Sequence, residues 1–388
     1  MTYQLNYNAL DEVVEHLMEK GFDSFADVLT ILLNESMKVE RSHALKAGPY
    51  ERNEDRKGYA NGHKPKTIKS KVGELNLDIP QVRGDIEFYP SALEKGCRSE
   101  KALCISMAEM YFNGVATRKV KNVLEKLCGV NVTSQEVSRA TEKLDAEFSA
   151  WRERQLGDIA YVILDAKYEK VRVNGIVRDA AILSAIGARE CDGKRIVLGV
   201  NVSLSEAEIY WREFLESLNK RGIKGIKMVT SDNHSGLRAA LKSVWTNVPW
   251  QRCQFHLQQN AGHYVTKKAD QKSVAADIRD IFQAQNLEKA KQRLKETVEK
   301  YQKSSPKLSS WIEENIQEGL TVFSQPQEVW LRLRTSNSIE RLNQEIARRT
   351  KTISVFPNES SLLRLATAVL IEKSDEWESG RVYLNIKP

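Results

Sequence analysis

Three runs rich in Val, Ile and Leu succeed one another between Ile159 and Ser203, and no other feature limits the fold of this chain so tightly. They read "IAYVILDAKYEKVRVNG", "AAILSAIGARE" and "KRIVLGVNVS", strand-length segments of β-favouring residues, with "CDGK" supplying a hairpin turn between the last two. An amphipathic helix, "EAEIYWREFLESLNKRG", follows. A strand-like stretch from Ile223 to Asn233 and a helix, "SGLRAALKSVW", complete the series. Three strands in a meander, then helix, strand and helix, is the order of an RNase H-like α/β core, a mixed sheet flanked by helices. Its chemistry is expected at the carboxyl ends of the strands.

Two aspartates occupy such positions. Asp165 lies in the first strand after "AYVIL", and Asp232 ends the later strand after "IKMVTS". Carboxylates on neighbouring strands can converge on hard divalent cations, which take oxygen ligands and keep open positions for phosphate and water. Each also has an ordinary alternative: Asp232 as the cap of the helix beginning near Ser235, Asp165 as the partner of Lys167 or Arg172. A third acid, Glu340, stands in "RTSNSIERLNQEIARRTK", otherwise loaded with Arg334, Arg341, Arg348, Arg349 and Lys351. Asn337 and Glu340 have the spacing of a capping box, a role compatible with metal binding. The long stretch between Asp232 and Glu340 cannot be a structureless loop in a compact domain. It holds "ADIRDIFQAQNLEKAKQRLKETVEKYQ" and "KLSSWIEENIQEGL", so residues 257–330 read as an all-α insertion. The insertion divides the core into 155–256 and 331–388, the latter supplying completing helices.

Ahead of the core the sequence predicts N-terminal helical and small β DNA-binding modules. Residues 1–98 include "SFADVLTILLNESMKVERSHAL", with Phe25, Val28, Leu29, Leu32 and Leu33 at helical spacing. An acid-free stretch from Arg56 to Lys71 follows, in which Gly58, Gly62 and Pro65 oppose a helix. It is expected to be a loop whose Lys64, Lys66, Lys69 and Lys71 lie along DNA phosphates. Beyond it, "TIKSKVGELNLDIPQV" and "GDIEFYP" read as a small antiparallel sheet. Residues 99–154 comprise three helix-length pieces, the first two ending at Gly114 and Gly129 and the third opened by a Thr133–Glu136 capping box. Gln135, Ser138 and Arg139 would face outward as in a recognition helix, although a plain helical bundle accounts for the same pattern.

Bulk properties agree with a protein of several modules. The chain has 388 residues, 41% hydrophobic and 29% charged, which excludes disorder, and a net charge of +7 suits a polyanionic partner. No apolar run approaches the roughly 18 residues of a membrane span, and the N-terminal stretch lacks a basic start followed by an apolar segment, so a cytoplasmic, nucleoid-associated location without a membrane partner is expected. Five scattered cysteines without a CxxC pair read as reduced thiols.

Taken in order, "LDAKYEKVR", "TSDNHSGL", "CQFH", "RTSNSIERLNQEIARRTK" and "FPNESSLLRL" resemble the Mutator-like family of bacterial insertion-sequence transposases, which use a DDE catalytic triad. The resemblance implies that Asp165, Asp232 and Glu340 bind two Mg²⁺ ions, with Mn²⁺ able to replace them, in an RNase H-like catalytic core interrupted by the helical insertion. It implies binding of double-stranded terminal inverted repeats, metal-dependent 3′-end cleavage, and strand transfer into target DNA. Copy-out, paste-in movement and a homodimer are further implications. Arg341, Arg348 and Arg349 are then expected to neutralise the DNA backbone beside the acids. In "CQFH", Cys253 and His256 make half a zinc site, which His263 or His234 could complete, yet no second spaced pair accompanies it. The family associates this motif with DNA near the scissile phosphate, so both residues are expected to contact DNA. The alternative is a transposase-derived DNA-binding regulator that does not cut.

Overall fold

The computed structural model describes residues 7–51, 54–265 and 268–385. The chain divides into two compact units, Met1–Leu144 and Asp145–Pro388.

The first unit opens with helices α1 (Tyr7–Lys20) and α2 (Phe25–Leu45), followed by an antiparallel hairpin of β1 (Tyr59–Ser70) and β2 (Gly73–Arg83). In β2 the buried Leu75, Leu77 and Ile79 alternate with the exposed Glu74, Asn76 and Asp78, the period of a strand with one covered face. That inner row packs on Leu29, Leu33 and Met37 of α2. The basic stretch is therefore largely a strand, which corrects the expected loop. Gly62, at φ 71°, sits in a register shift between Ala60 and His63, so it makes an irregularity without ending the strand. Pro65 is tolerated because β2 is the one strand paired with β1 at that position; the bridge on the other edge joins Ser99 to Lys69, four residues on. The stretch 84–90, expected as another strand, is irregular. Helices α3 (Lys101–Phe112), α4 (Thr117–Cys128) and α5 (Ser134–Glu142) then close around Leu103, Met107, Val120, Leu124 and Val137. Gly129 ends α4 at φ 64°, and the Thr133–Glu136 capping box forms in full.

The second unit runs from α6 (Asp145–Glu153) into a five-stranded sheet with β3 (Ile159–Val173), β4 (Ile176–Arg189), β5 (Arg195–Ser203), β6 (Met228–Ser231) and β7 (Trp250–Arg252). Their spatial order is β5-β4-β3-β6-β7; β3, β4 and β5 form the antiparallel meander, while β6 and β7 add in parallel. The β4–β5 turn holds Gly193 at φ 64°, where a Cβ would come within 1.9 Å of the Leu384 carbonyl oxygen. Leu384 in turn donates its N–H to the Gly193 carbonyl at 3.0 Å. Helices α7 (Glu208–Lys220) and α8 (Ser235–Val244) cover one sheet face, where Val162 and Leu164 meet Trp211, Phe214, Leu215 and Leu237.

A run of helices separates β7 from the rest of the unit. It comprises α9 (Gln254–Ala261), α10 (Gln271–Phe282), α11 (Leu287–Gln302), α12 (Pro306–Asn315) and α13 (Gln327–Leu333), and the described residues of 257–330 include no strand. Its own core contains Ile278, Ile281, Leu294, Leu308 and Ile312. Two final helices, α14 (Asn337–Thr350) and α15 (Glu359–Ser379), return to the sheet. α15 lies along β5, whose Val197 N–H donates to Ser374 Oγ at 3.3 Å. Among the described residues no helix is long and apolar enough to cross a membrane.

Candidate active site

The pairing of β3 with β6 brings the first two acids together. Tyr161 lies opposite Met228, Val162 opposite Val229 and Ile163 opposite Thr230; two further residues along, the same parallel register sets Asp165 beside Asp232, one residue beyond β6. Alternation along β3 turns Asp165 to the face of Tyr161 and Ile163, away from Val162 and Leu164 with their cover of α7 and α8. Helix α14 serves that face, and Asn343 Nδ2 donates to Asp165 Oδ2 at 2.8 Å. Glu340 precedes Asn343 by three residues and shares its side of the helix. Its Oε1 accepts from Ser336 Oγ at 2.9 Å and lies 3.8 Å from His256 Nε2.

The electrostatics record this crowding. Burial first, and the Asp232 carboxylate second, push Asp165 up to about 7; the Ala166 amide and His256 oppose the shift, and Glu340 adds to it. The ordinary alternatives do not hold. Lys167 pairs with Glu169, and Arg172 donates to the Gly175 carbonyl, so neither serves Asp165. Asp232 Oδ1 accepts from the His234 N–H at 3.3 Å, but α8 is preceded by His234 as its N-cap and has no side-chain cap. Nor does Glu340 close a capping box: the N-cap is Ser336, one residue before the expected Asn337, and its hydroxyl donates to Glu340 instead of accepting from the helix. Three converging carboxylates, one pushed towards its neutral form by burial and a neighbouring charge, are a donor set suited to hard divalent cations.

Cys253 and His256 join the same locality from the start of α9. Cys253 is fully buried; its sulfur accepts from the Ser336 N–H at 3.3 Å and lies 3.2 Å from Ser336 Oγ, whose single proton is directed to Glu340. Burial alone would raise its pKa, but hydrogen bonds from His256 and Ser336 bring it below the usual thiol value. His256 is pushed up to about 9, chiefly by its bond with the Cys253 sulfur and against the cost of burial. A sulfur enclosed in this way does not reach a DNA backbone, which corrects the expected DNA contact of Cys253. His256, partly exposed, keeps that possibility.

The expected phosphate-binding cations divide in the same manner. Arg341 is exposed, and Arg348 is exposed and 2.9 Å from Glu345. Arg349 is buried and pairs with Glu372 at 3.1 Å, so it braces α14 on α15 and is withdrawn from the DNA-facing set. In the first unit Lys64, Lys71 and Arg139 are exposed, and Lys66 Nζ donates to the Tyr89 hydroxyl at 2.9 Å. Lys69 instead donates to Glu136 Oε1 at 2.7 Å and the Asn131 carbonyl at 2.6 Å, which corrects its expected role as a phosphate contact. Sequence reading missed Asn343 and Ser336. Asn343 carried a usable signal, since a polar residue three positions after a helical acid shares its face.

Along this chain a basic hairpin and a three-helix cluster are followed by a mixed α/β unit in which three acids converge. Residues 2–380 match the family described as Transposase, Mutator family, and the chain belongs to it. Its relatives include the transposase for insertion sequence element IS406 of Burkholderia multivorans (strain ATCC 17616 / 249), 50% identical over 390 residues and the full length of both chains. The ISRM5 transposase of Rhizobium meliloti (strain 1021) is 37% identical, over 96% of this chain and 93% of its own. The transposase of IS256 in transposon Tn4001 of Staphylococcus aureus is 36% identical, over 98% and 99% respectively. Among solved structures, the Drosophila P element transposase strand transfer complex aligns with 74% of this chain and 82% of that chain, at 12% identity and a TM-score of 0.31, a likeness too slight to bear on the site.

Proposed function

We propose that this chain binds the terminal inverted repeats of its insertion sequence, frees a 3′-OH by hydrolysing one phosphodiester, and joins that hydroxyl to another in target DNA. The observation that carries the reading is the parallel β3–β6 register, which aligns Asp165 with Asp232 beneath the helix bearing Glu340 and Asn343. The strand order β5-β4-β3-β6-β7 supports an RNase H-like core, and the self-contained helical core of 257–330 supports an insertion within it. Asp165, Asp232 and Glu340 would hold two Mg²⁺ ions, which supply activation of the attacking oxygen and charge neutralisation at the leaving one. Asn343 fixes one carboxylate oxygen of Asp165, and Ser336 fixes one of Glu340, so both acids are oriented before a cation arrives. Arg341 and His256 supply positive charge for the DNA backbone beside them. No covalent enzyme intermediate is required. A homodimer is in keeping with the need to handle two element ends together, and family membership favours copy-out, paste-in movement through a circular intermediate.

The test is nicking of a terminal-repeat duplex in Mg²⁺. Glu340→Gln keeps an oxygen to accept from Ser336, so the fold should be unchanged, while cleavage should fall by more than ~100-fold, beyond the usual cost of disturbing a ligand's support. Glu345, tied to the exposed Arg348, serves as the control, and Glu345→Gln should cut near the wild-type rate. Normal nicking by Glu340→Gln would overturn the assignment.

A further inference from the structure

We propose that Cys253, His256 and Glu340 form a second cation site, selective for thiophilic divalent ions such as Zn²⁺ and Cd²⁺, whose occupation draws Glu340 away from Asp165 and Asp232 and stops DNA cleavage. The inhibitory half of this proposal rests on the reading of Glu340 as a catalytic acid; the binding half does not. One potential ligand atom from each of the three residues lies within 4.8 Å of the others. Tetrahedral Zn²⁺ with bonds of about 2.0–2.3 Å needs ligand atoms roughly 3.3–3.8 Å apart. The His256 Nε2 to Glu340 Oε1 separation is already 3.8 Å, the spacing of two ligands on one ion.

Two helices bring the ligands together. Cys253 is the N-cap of α9 and His256 lies three residues on, while Glu340 comes from the first turns of α14. The Ser336 hydroxyl bridges the two ends of the set, 3.2 Å from Cys253 Sγ and 2.9 Å from Glu340 Oε1. It keeps sulfur and carboxylate within 4.8 Å of one another. The Ser336 N–H donates to the same sulfur at 3.3 Å and points it towards Glu340 and His256. Sulfur, imidazole and carboxylate with a fourth position for water match the ligand count and type of zinc sites. Mg²⁺, with its preference for oxygen, would leave this set for the three acids. Binding would release the thiol proton and the imidazolium proton to solvent, so atoms and charge balance without a co-reactant.

The test uses the full chain. Cd²⁺ is titrated into metal-free protein, and the thiolate-to-cadmium charge-transfer absorption is followed. Cys97, Cys104, Cys128 and Cys191 contribute a background common to every variant, so the quantity read is the difference from wild type. Wild type is expected to bind one equivalent that Cys253→Ser lacks and that His256→Ala and Glu340→Gln bind at least tenfold more weakly. Retention of that equivalent at wild-type affinity in both Cys253→Ser and His256→Ala would overturn the site. For inhibition, the ratio of Mg²⁺-dependent nicking rates with and without micromolar Zn²⁺ is compared, so that basal activity cancels. Wild type should lose most of its rate, and Cys253→Ser and His256→Ala should retain most of theirs. Equal Zn²⁺ sensitivity of wild type and both variants would overturn the inhibitory role. Absence of nicking in every sample would instead strike the proposed catalytic function and leave the cadmium result readable.

Discussion

Asp165 shows how a site residue acts against the stability of its own fold. A carboxyl pushed from 3.8 to about 7 keeps its proton in the folded chain after the unfolded chain has lost it. Between those pH values the folded state binds more protons, so stability falls as pH rises through the window, and the full loss is present above 7. Asp165→Asn removes the charge, and its side-chain oxygen can still accept from Asn343. Metal-free Asp165→Asn should therefore unfold at higher denaturant concentration than wild type at pH 8, by on the order of a few kcal/mol, and show little difference at pH 4. A pH-independent difference would show that the Asp165 carboxyl holds its proton equally in the folded and unfolded chain. At this scale the positions of three acids that the fold brings together were legible in advance: Asp165 and Asp232 stand at the ends of apolar runs and Glu340 in the first turns of a helix. The burial of Cys253 and Arg349 was not, because burial is decided by which segments pack against a residue. A basic or sulfur-bearing side chain reads the same whether it meets solvent or, as here, Ser336 and Glu372.

Elements were legible where a pattern runs long enough to repeat. The meander from Ile159 to Ser203 has strands of 9 to 15 residues, and its order could be read directly. β7 has three residues, too few for alternation to register, and β1 was hidden because Gly62 and Pro65 imitate loop chemistry while only Ile68 and Ser70 turn inward. The hairpin alters what its lysines can do. Replacing Lys64, Lys66 and Lys71 with Ala should lower the slope of log affinity against log salt by about 0.9 for each phosphate that is no longer neutralised, whatever the duplex sequence. An unchanged slope would remove this strand from the DNA interface. Lys69→Ala belongs to another class, since it strips Glu136 of its partner at the start of α5; its effect should appear in thermal stability with the salt slope intact. Gly193 makes a second point at this scale. It combines a left-handed φ with the close approach of Leu384, so Gly193→Ala should cost more than about 1 kcal/mol, seen as a lower Tm.

The whole molecule comprises two units, each with buried clusters of its own. Residues 145–388 hold the sheet, the helical run and all three acids; residues 1–144 hold the basic hairpin and the α3–α5 cluster. A fragment of residues 145–388 is therefore expected to melt cooperatively. Its response to Mg²⁺ should match that of the full chain, because an ion bound only by the folded acids stabilises by about 2.7 kcal/mol at a hundredfold excess over Kd. For a unit of this size that is a rise of roughly 5–10 °C in Tm, and Asp165→Asn should abolish most of it in fragment and full chain alike. Affinity for a terminal-repeat duplex should part company with this response, falling steeply in the fragment, which lacks Lys64, Lys66, Lys71 and the exposed Arg139 of α5. Calorimetry on both proteins with and without Mg²⁺, beside duplex binding at one fixed salt concentration, separates the two jobs. A fragment that binds the ends as tightly as the full chain would move end recognition into the catalytic unit, and a fragment that folds but ignores Mg²⁺ would place the metal ligands elsewhere.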